Sequence, residues 1–165
     1  MASSLKKLVN RRAVLGCTAI LFTTTVLPGC SSYRKLRNYI KKHPTKTIRF
    51  VSDANLNKDY PVAIDIVFVK DTELTKSILA MNAHDWFKNR TQLRHDNPDK
   101  VSIQSLEIVP GRNVPLIELT KSERKAHAII VFGNFMTSGS HRLKLLEVNV
   151  DVELGGNGFI MAPPS

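Results

Sequence analysis

The first 50 positions of this chain contain no acidic residue, cysteine occurs only at Cys17 and Cys30, and no long apolar run follows Leu27. Each absence excludes something. Without a later stretch of about 18 or more apolar residues, no second helix spans a bilayer. With both cysteines near the N-terminus, the body of the protein has no disulfide framework and must be held by packing alone. The missing acids locate the formal net charge of +10 in the N-terminal part. Residues 51–165 hold 13 Lys or Arg against 14 Asp or Glu. A nucleic-acid-binding domain keeps its basic surplus on its folded surface, so this charge distribution argues against nucleic acid as a partner.

Lys6, Lys7, Arg11 and Arg12 precede an apolar stretch, 13–27, that is interrupted by Thr18, Thr23, Thr24 and Thr25. This is the pattern of a secretory signal peptide. The stretch has about 15 residues against the roughly 20 needed to span a membrane, which disfavours the alternative of an uncleaved anchor. Leu27-Pro28-Gly29-Cys30 resembles a lipobox. The small Gly29 permits cleavage, and the Cys30 sulfur is the atom that forms a thioether to diacylglycerol. Arg11-Arg12 lacks the flanking pattern of a twin-arginine signal, so the general secretory route is expected. Residues 1–29 are then a lipoprotein signal peptide, 30–46 a lipidated cysteine with a basic tether, and 47–165 the folded domain. Ser31 stands where inner-membrane-retained lipoproteins of many Gram-negative bacteria have Asp, which points to the outer membrane, facing the periplasm. For the tether two readings stand: a short helix with Tyr33, Leu36, Tyr39 and Ile40 on one side, lying on anionic headgroups, or a solvated spacer.

From Thr47 the hydrophobic period becomes two. Ile48 and Phe50 mark a first strand, and Asp53–Tyr60 is a polar loop. Val62, Ile64, Ile66 and Phe68 mark a second strand with one strongly buried face. Two helical pieces follow, capped by Asp71 and Asn82, with Asp85 in the first turn of the second piece and Trp86 pinning it onto a sheet. Strands resume at Val101. Val101 and Ile103 are out of phase with Leu106 and Ile108, which predicts a β-bulge near Gln104-Ser105. Pro110-Gly111 turns into a strand over 114–120, and 126–132 reads as a central strand. Leu146, Val148, Val150, Val152 and Leu154 alternate as a half-buried strand, and the glycine-rich turn at 155–158 leads to a last strand over 159–161. About seven strands with local turns and one helical insertion after the second strand define an all-β, antiparallel β-sandwich.

A search for chemistry finds little. None of the five histidines, His43, His84, His95, His127 and His141, has the spacing of a zinc site, so no metal is expected. His84-Asp85 and His95-Asp96 are adjacent in sequence, which does not set the geometry of a relay. No G-x-S-x-G is present, and Gly155–Gly158 lacks the Lys-Ser/Thr of a phosphate loop. No catalytic residue, no cofactor and no enzymatic activity are expected.

The order of motifs is more informative than any single one. A lipobox precedes a loop with Asp-Ala-Asn-Leu-Asn (53–57), a Pro-Val-Ala-Ile-Asp-Ile-Val-Phe-Val strand (61–69), a helical insertion containing Asp-Trp-Phe (85–87), and Val109-Pro110-Gly111. In this order the sequence resembles the TssJ lipoproteins of bacterial type VI secretion systems over about residues 46–161. It departs from their pattern in the Val-Phe-Val-Lys-Asp run (67–71), which fits a divergent branch or a sister family. The resemblance implies a transthyretin-like sandwich with an extra helix and a structural, non-enzymatic role. It implies a partner, a TssM-like inner-membrane protein bound through its periplasmic region. It further implies that the first interstrand loop contacts that partner. Here that loop is Asp53–Tyr60, with Leu56 and Tyr60 as apolar contacts and Asp53, Asn55, Asn57, Lys58 and Asp59 as polar ones. Two alternatives stay open at this point: a lipoprotein of another envelope machine, or a periplasmic binding module.

Overall fold

The computed structural model describes residues 42–112 and 114–160. The signal peptide, Gly29, Cys30, the tether segment 33–40 and Met161 lie outside the described residues. Among the described residues no helix is long and apolar enough to cross a membrane.

The elements run β1 (Thr47–Ser52), β2 (Val62–Val69), α1 (Thr72–Ala80), α2 (Ala83–Asp96), β3 (Val101–Ile108), β4 (Ile117–Glu118), β5 (Ala128–Gly133), β6 (Arg142–Leu145), β7 (Asn149–Gly155) and β8 (Gly158–Ile160). They form two four-stranded sheets, ordered β4-β1-β7-β8 and β3-β2-β5-β6. Ile48, Phe50, Val152 and Leu154 of the first sheet meet Ile64, Ile66, Phe68, Ile129 and Val131 of the second in one buried core. This is the expected β-sandwich with a helical insertion after the second strand. All pairings are antiparallel except β1 with β7, which run parallel from Thr47↔Asn149 to Ser52↔Leu154.

The helices cover the outer face of the second sheet and build a second core from Val67, Val69, Ile78, Trp86, Val101, Ile130 and Phe132. Their start signals act as the sequence predicts. The Asp71 carboxylate accepts from Leu74 N at 2.8 Å, and the Asn82 side chain accepts from Asp85 N at 2.8 Å, each satisfying an amide that the helix itself leaves unpaired. Trp86 is fully buried and stacks on Phe132 with ring centroids 4.9 Å apart. Its Nε1 donates to Asp65 at 2.9 Å, and Arg90 and Ser105 also donate to that buried carboxylate, at 2.7 and 2.6 Å. A buried charge persists only when its lone pairs are satisfied, and three donors from α2 and β3 do this for Asp65.

The second core accounts for several departures from expectation. β2 is buried on both faces, because α1 and α2 cover the side that strand alternation alone would leave wet. The β-bulge expected at Gln104-Ser105 is absent: β3 pairs with β2 in one continuous register, from Val62↔Ile108 to Val69↔Val101. Val101 and Ile103 face the helices, whereas Leu106 and Ile108 face the sandwich. The change of phase marks which face is covered at each end of the strand. The strand expected over 114–120 shrinks to Ile117–Glu118 at a sheet edge. The long alternating run from Leu146 starts later, at Asn149, leaving Leu146 and Val148 exposed. Before it lies β6, an eighth strand that the sequence reading lacks. Leu145-Leu146 lets the alternation be read in either phase, and the chain changes sheets there.

Candidate functional site

The sandwich has two ends. At the first, the described chain enters. His43 N donates to Arg124 O at 2.7 Å, Lys46 N to Val148 O at 2.6 Å, and the Thr45 hydroxyl to Glu147 O at 2.6 Å. His43 and Thr45 are buried, so the last residues assigned to the tether are already docked on the domain. Burial, followed by the positive charge of Lys144, holds the His43 imidazole below its ordinary value of 6.5, and His127 adds to this against a hydrogen bond to the Leu145 backbone. A proton on a desolvated imidazole beside another cation is disfavoured twice.

The opposite end gathers the β1–β2 loop, the Val109–Arg112 turn, the β5–β6 loop and the β7–β8 turn. Asp53 organises the first. Its backbone amide donates to Leu154 O at 3.0 Å, and its carbonyl accepts from Leu56 N at 3.2 Å and Gly111 N at 3.4 Å. Gly111 has φ +64° and Arg112 N closes onto Val109 O at 3.2 Å, the positive-φ turn that Pro-Gly favours. Next, Asn57, Lys58 and Asp59 all adopt left-handed backbone conformations, with φ of 48°, 57° and 67°. Such conformations cost about 1–2 kcal/mol per non-glycine residue, least for Asn and Asp. Three in succession make a tight left-handed turn.

Asn57 holds that turn in place. Its side-chain Nδ2 donates to Pro61 O at 3.1 Å, and its Oδ1 accepts from Met136 N at 2.7 Å. One buried amide thus joins the β1–β2 loop to the β5–β6 loop. The Thr137 hydroxyl carries the chain of contacts on, donating to Asn157 O at 3.0 Å. Beside this end, a cleft of about 430 Å³ is lined by His84, Asn134, Met136 and His141 among others. The His141 ring packs 4.9 Å from Phe135, and its Nε2 lies 2.7 Å from Thr137 O. Among the described residues no cluster of three or more His, Cys, Asp or Glu can hold a metal ion.

This arrangement divides the seven residues expected at the partner contact. Asp53, Asn55, Lys58, Asp59 and Tyr60 are exposed, Tyr60 at 58%. Leu56 is not available as an apolar contact: it is fully buried in the sandwich core. Asn57 is likewise buried and spent on internal hydrogen bonds, so it offers no polar contact to a partner. The alternation of polar and apolar residues in Asn-Leu-Asn does not reveal that the loop folds back and closes the core beneath itself. Sequence reasoning also missed Met136, which is 61% exposed at the same end. The available signal was the apolar pair Phe135-Met136 in the otherwise polar 134–141 segment, of which only Phe135 is buried.

No family model and no curated protein matches the sequence. Solved structures do match. Serratia marcescens Lip, a membrane-bound component of the type VI secretion system, aligns at 11% identity and TM-score 0.54, over 72% of this chain and 96% of that one. The type VI lipoprotein TssJ1 of Pseudomonas aeruginosa aligns at 18% identity and TM-score 0.53, over 74% and 99%. A chain from a structure described as the TssM C-terminal domain (869–1107) from EAEC aligns at 17% identity and TM-score 0.51, over 72% and 96%. Nearly the whole of each of these chains is matched by the sandwich and its helical insertion, and on that ground this protein has the fold of the TssJ and Lip lipoproteins of type VI secretion.

Proposed function

We propose that this protein is a lipid-anchored structural component of a type VI secretion membrane complex. Acylation at Cys30 holds it in the outer membrane on the periplasmic side. The far end of the sandwich docks the periplasmic domain of a TssM-like inner-membrane protein. Asp53, Asn55, Lys58, Asp59 and Tyr60 form the contact together with Met136, while Leu56 and Asn57 hold the loop in shape. The protein acts by binding and not by turnover.

The observation that carries this reading is the left-handed turn over Asn57, Lys58 and Asp59. Backbone strain persists where the surroundings over-determine it, and it concentrates at binding and switching sites. Here it presents Tyr60 at the end of the domain opposite the one where the described chain enters. A fixed loop also loses little entropy when it binds. The fold shared with Lip and TssJ1 supports the same reading.

Co-purification tests it. The protein should capture a TssM-like periplasmic domain encoded in the same genome, and Tyr60→Ala should release it. Cys30→Ser should abolish both acylation and type VI secretion. Secretion sustained by the soluble, unacylated variant would overturn the proposal.

A further inference from the structure

The edge strands of the two sheets are not alike. β4 has two residues, β8 has three, and β6 has four with Arg142 and Lys144 among them. β3 has eight, Val101–Ile108, in unbroken register with β2. It contains no proline, glycine, lysine or bulge, and Glu107 is its one charge. Natural sheets blunt their edges with such devices, because a free row of amides and carbonyls pairs with any strand that reaches it. Lys70 N donates to Lys100 O at 2.9 Å. Backbone direction alternates along an antiparallel ladder. Ser102, Gln104, Leu106 and Ile108 therefore turn their amides and carbonyls to β2, and Ile103, Ser105 and Glu107 turn theirs outward. The bond from Asn134 N to Ala63 O at 2.9 Å, on the other side of β2, agrees with that phase. Among the described residues nothing hydrogen-bonds to the outward amides and carbonyls of Ile103, Ser105 and Glu107. The chain leaving β3 crosses to the other sheet, with Gly111 N on Asp53 O at 3.4 Å and Leu119 N on Lys46 O at 2.8 Å.

Beside this edge, α2 and β3 border a cleft of about 160 Å³ lined by Arg90, Thr91, Arg94, Ile103 and Ser105. Arg90 spends its charge on the buried Asp65, at 2.7 Å. Arg94 is exposed and, among the described residues, pairs with no acid. Asp96 accepts from Gln92 at 2.7 Å, Asp99 stands in the turn before β3, and neither lines the cleft. Glu107 shares a face of the strand with Ile103 and Ser105, and it too is exposed and unpaired among the described residues. The edge thus carries a free positive charge beside Ile103 and a free negative one at Glu107. We propose that β3 accepts an extended segment of a partner protein as a further antiparallel strand, with an acidic residue opposite Ile103 and a basic residue, four positions earlier, opposite Glu107. Main-chain bonds give such a complex its attachment, up to about six of them over the three outward residues. The two charges give it register and direction, because a segment in the opposite order meets like charge at both positions. A second copy of β3 would match the same charges, but the two-fold axis would point the entry ends of the two copies in opposite directions. Two chains held in one membrane by the proposed anchor do not stand that way. The strand site runs along the side of the sandwich and is separate from the far-end loops.

Nuclear magnetic resonance of the isotopically labelled full chain, purified from membranes into detergent micelles, tests this with two synthetic peptides as probes. Thr-Lys-Val-Thr-Val-Glu-Thr has the expected order of charges, and Thr-Glu-Val-Thr-Val-Lys-Thr reverses it. At millimolar concentration the first peptide should shift the amide signals of Ile103, Ser105 and Glu107 and slow their exchange with water. The second should bind at least about fivefold more weakly, since two attractive cross-strand pairs become repulsive. Both charges of the protein are on exposed side chains, so the double variant Arg94→Glu, Glu107→Lys should keep the native spectrum elsewhere and reverse the preference between the peptides. No change at the three amides, equal binding of both peptides, or a preference that the double variant leaves as it was would overturn the proposal. Shifts of the same amides on concentrating the protein without peptide would also overturn it, and would give the edge to a second copy of this chain. None of these readouts uses the far-end loops, so failure here is distinct from failure of the docking reading.

Discussion

The two ends of the sandwich solve opposite problems with the same strands. At the entry end the side chains are charged with both signs, among them Lys70, Asp71, Asp99, Lys100, Lys121, Glu123, Lys144 and Glu147, and the segment His43–Lys46 is stitched to Arg124, Glu147 and Val148. At the far end the loops carry only Asp53, Lys58, Asp59 and Arg112 as charges, exposed apolar groups stand at Tyr60 and Met136, and the backbone is held in a left-handed turn. A rigid, nearly neutral surface with apolar anchors suits a protein partner, where binding concentrates on a few desolvated residues. The β-strands between them make the distance between the two surfaces a property of the fold.

Substitutions can break this contrast. The largest expected effect is at Leu56. Leu56→Ala removes a fully buried side chain and should lower unfolding free energy by about 2–5 kcal/mol in urea titrations. A change near zero would mean that the loop does not close the core. Asn57→Ala should cost about 2–3 kcal/mol, because alanine tolerates the left-handed conformation poorly and two hydrogen bonds are lost. Asn57→Gly relieves the first cost but not the second, so it should fall between the alanine variant and the native protein. Tyr60→Ala reverses the pattern: stability should stay within about 0.5 kcal/mol of native, while affinity for the TssM-like domain drops at least about tenfold, or about 1.4 kcal/mol, by calorimetry. At the entry end the effect is smaller and depends on pH. Folded His43 takes up its proton at lower pH than the unfolded chain does. Its contribution is complete above pH 6.5 and is lost as pH falls through the lowered native value. Thermal melting between pH 7.5 and 5 should therefore show a decline that His43→Gln flattens. The same decline in the variant would assign the acid sensitivity to other groups.

Much of the fold is legible in the sequence because it is local. Alternation finds β1, β2 and the body of β7, Asp71 and Asn82 announce the helices, and Trp86 marks the face that binds the sheet. What escapes is set by contacts between distant residues. The parallel pairing of β1 with β7 joins positions 102 apart and leaves no mark in either strand. The helical insertion buries the second face of β2 and splits β3 between two cores, and a one-dimensional pattern reads this as a bulge. The loop was found by its place in a motif order, but the division of its residues into scaffold and surface depends on Asn57 reaching Met136 across the end of the sandwich.

The parallel pairing has a mechanical consequence. β1 begins where the described chain enters the domain and ends at the loop proposed to hold the partner, so tension between the proposed anchor and that partner would run along six residues, Thr47–Ser52. In that direction the β1–β7 ladder is loaded in shear, with its rungs sharing the strain instead of opening one at a time. Arg49 braces the middle of the ladder by pairing with Asp151, its Nε donating to the carboxylate at 3.0 Å. The covalent route from the chain's entry to the loop is thus a braced one, paired with β7 at every residue from Thr47 to Ser52.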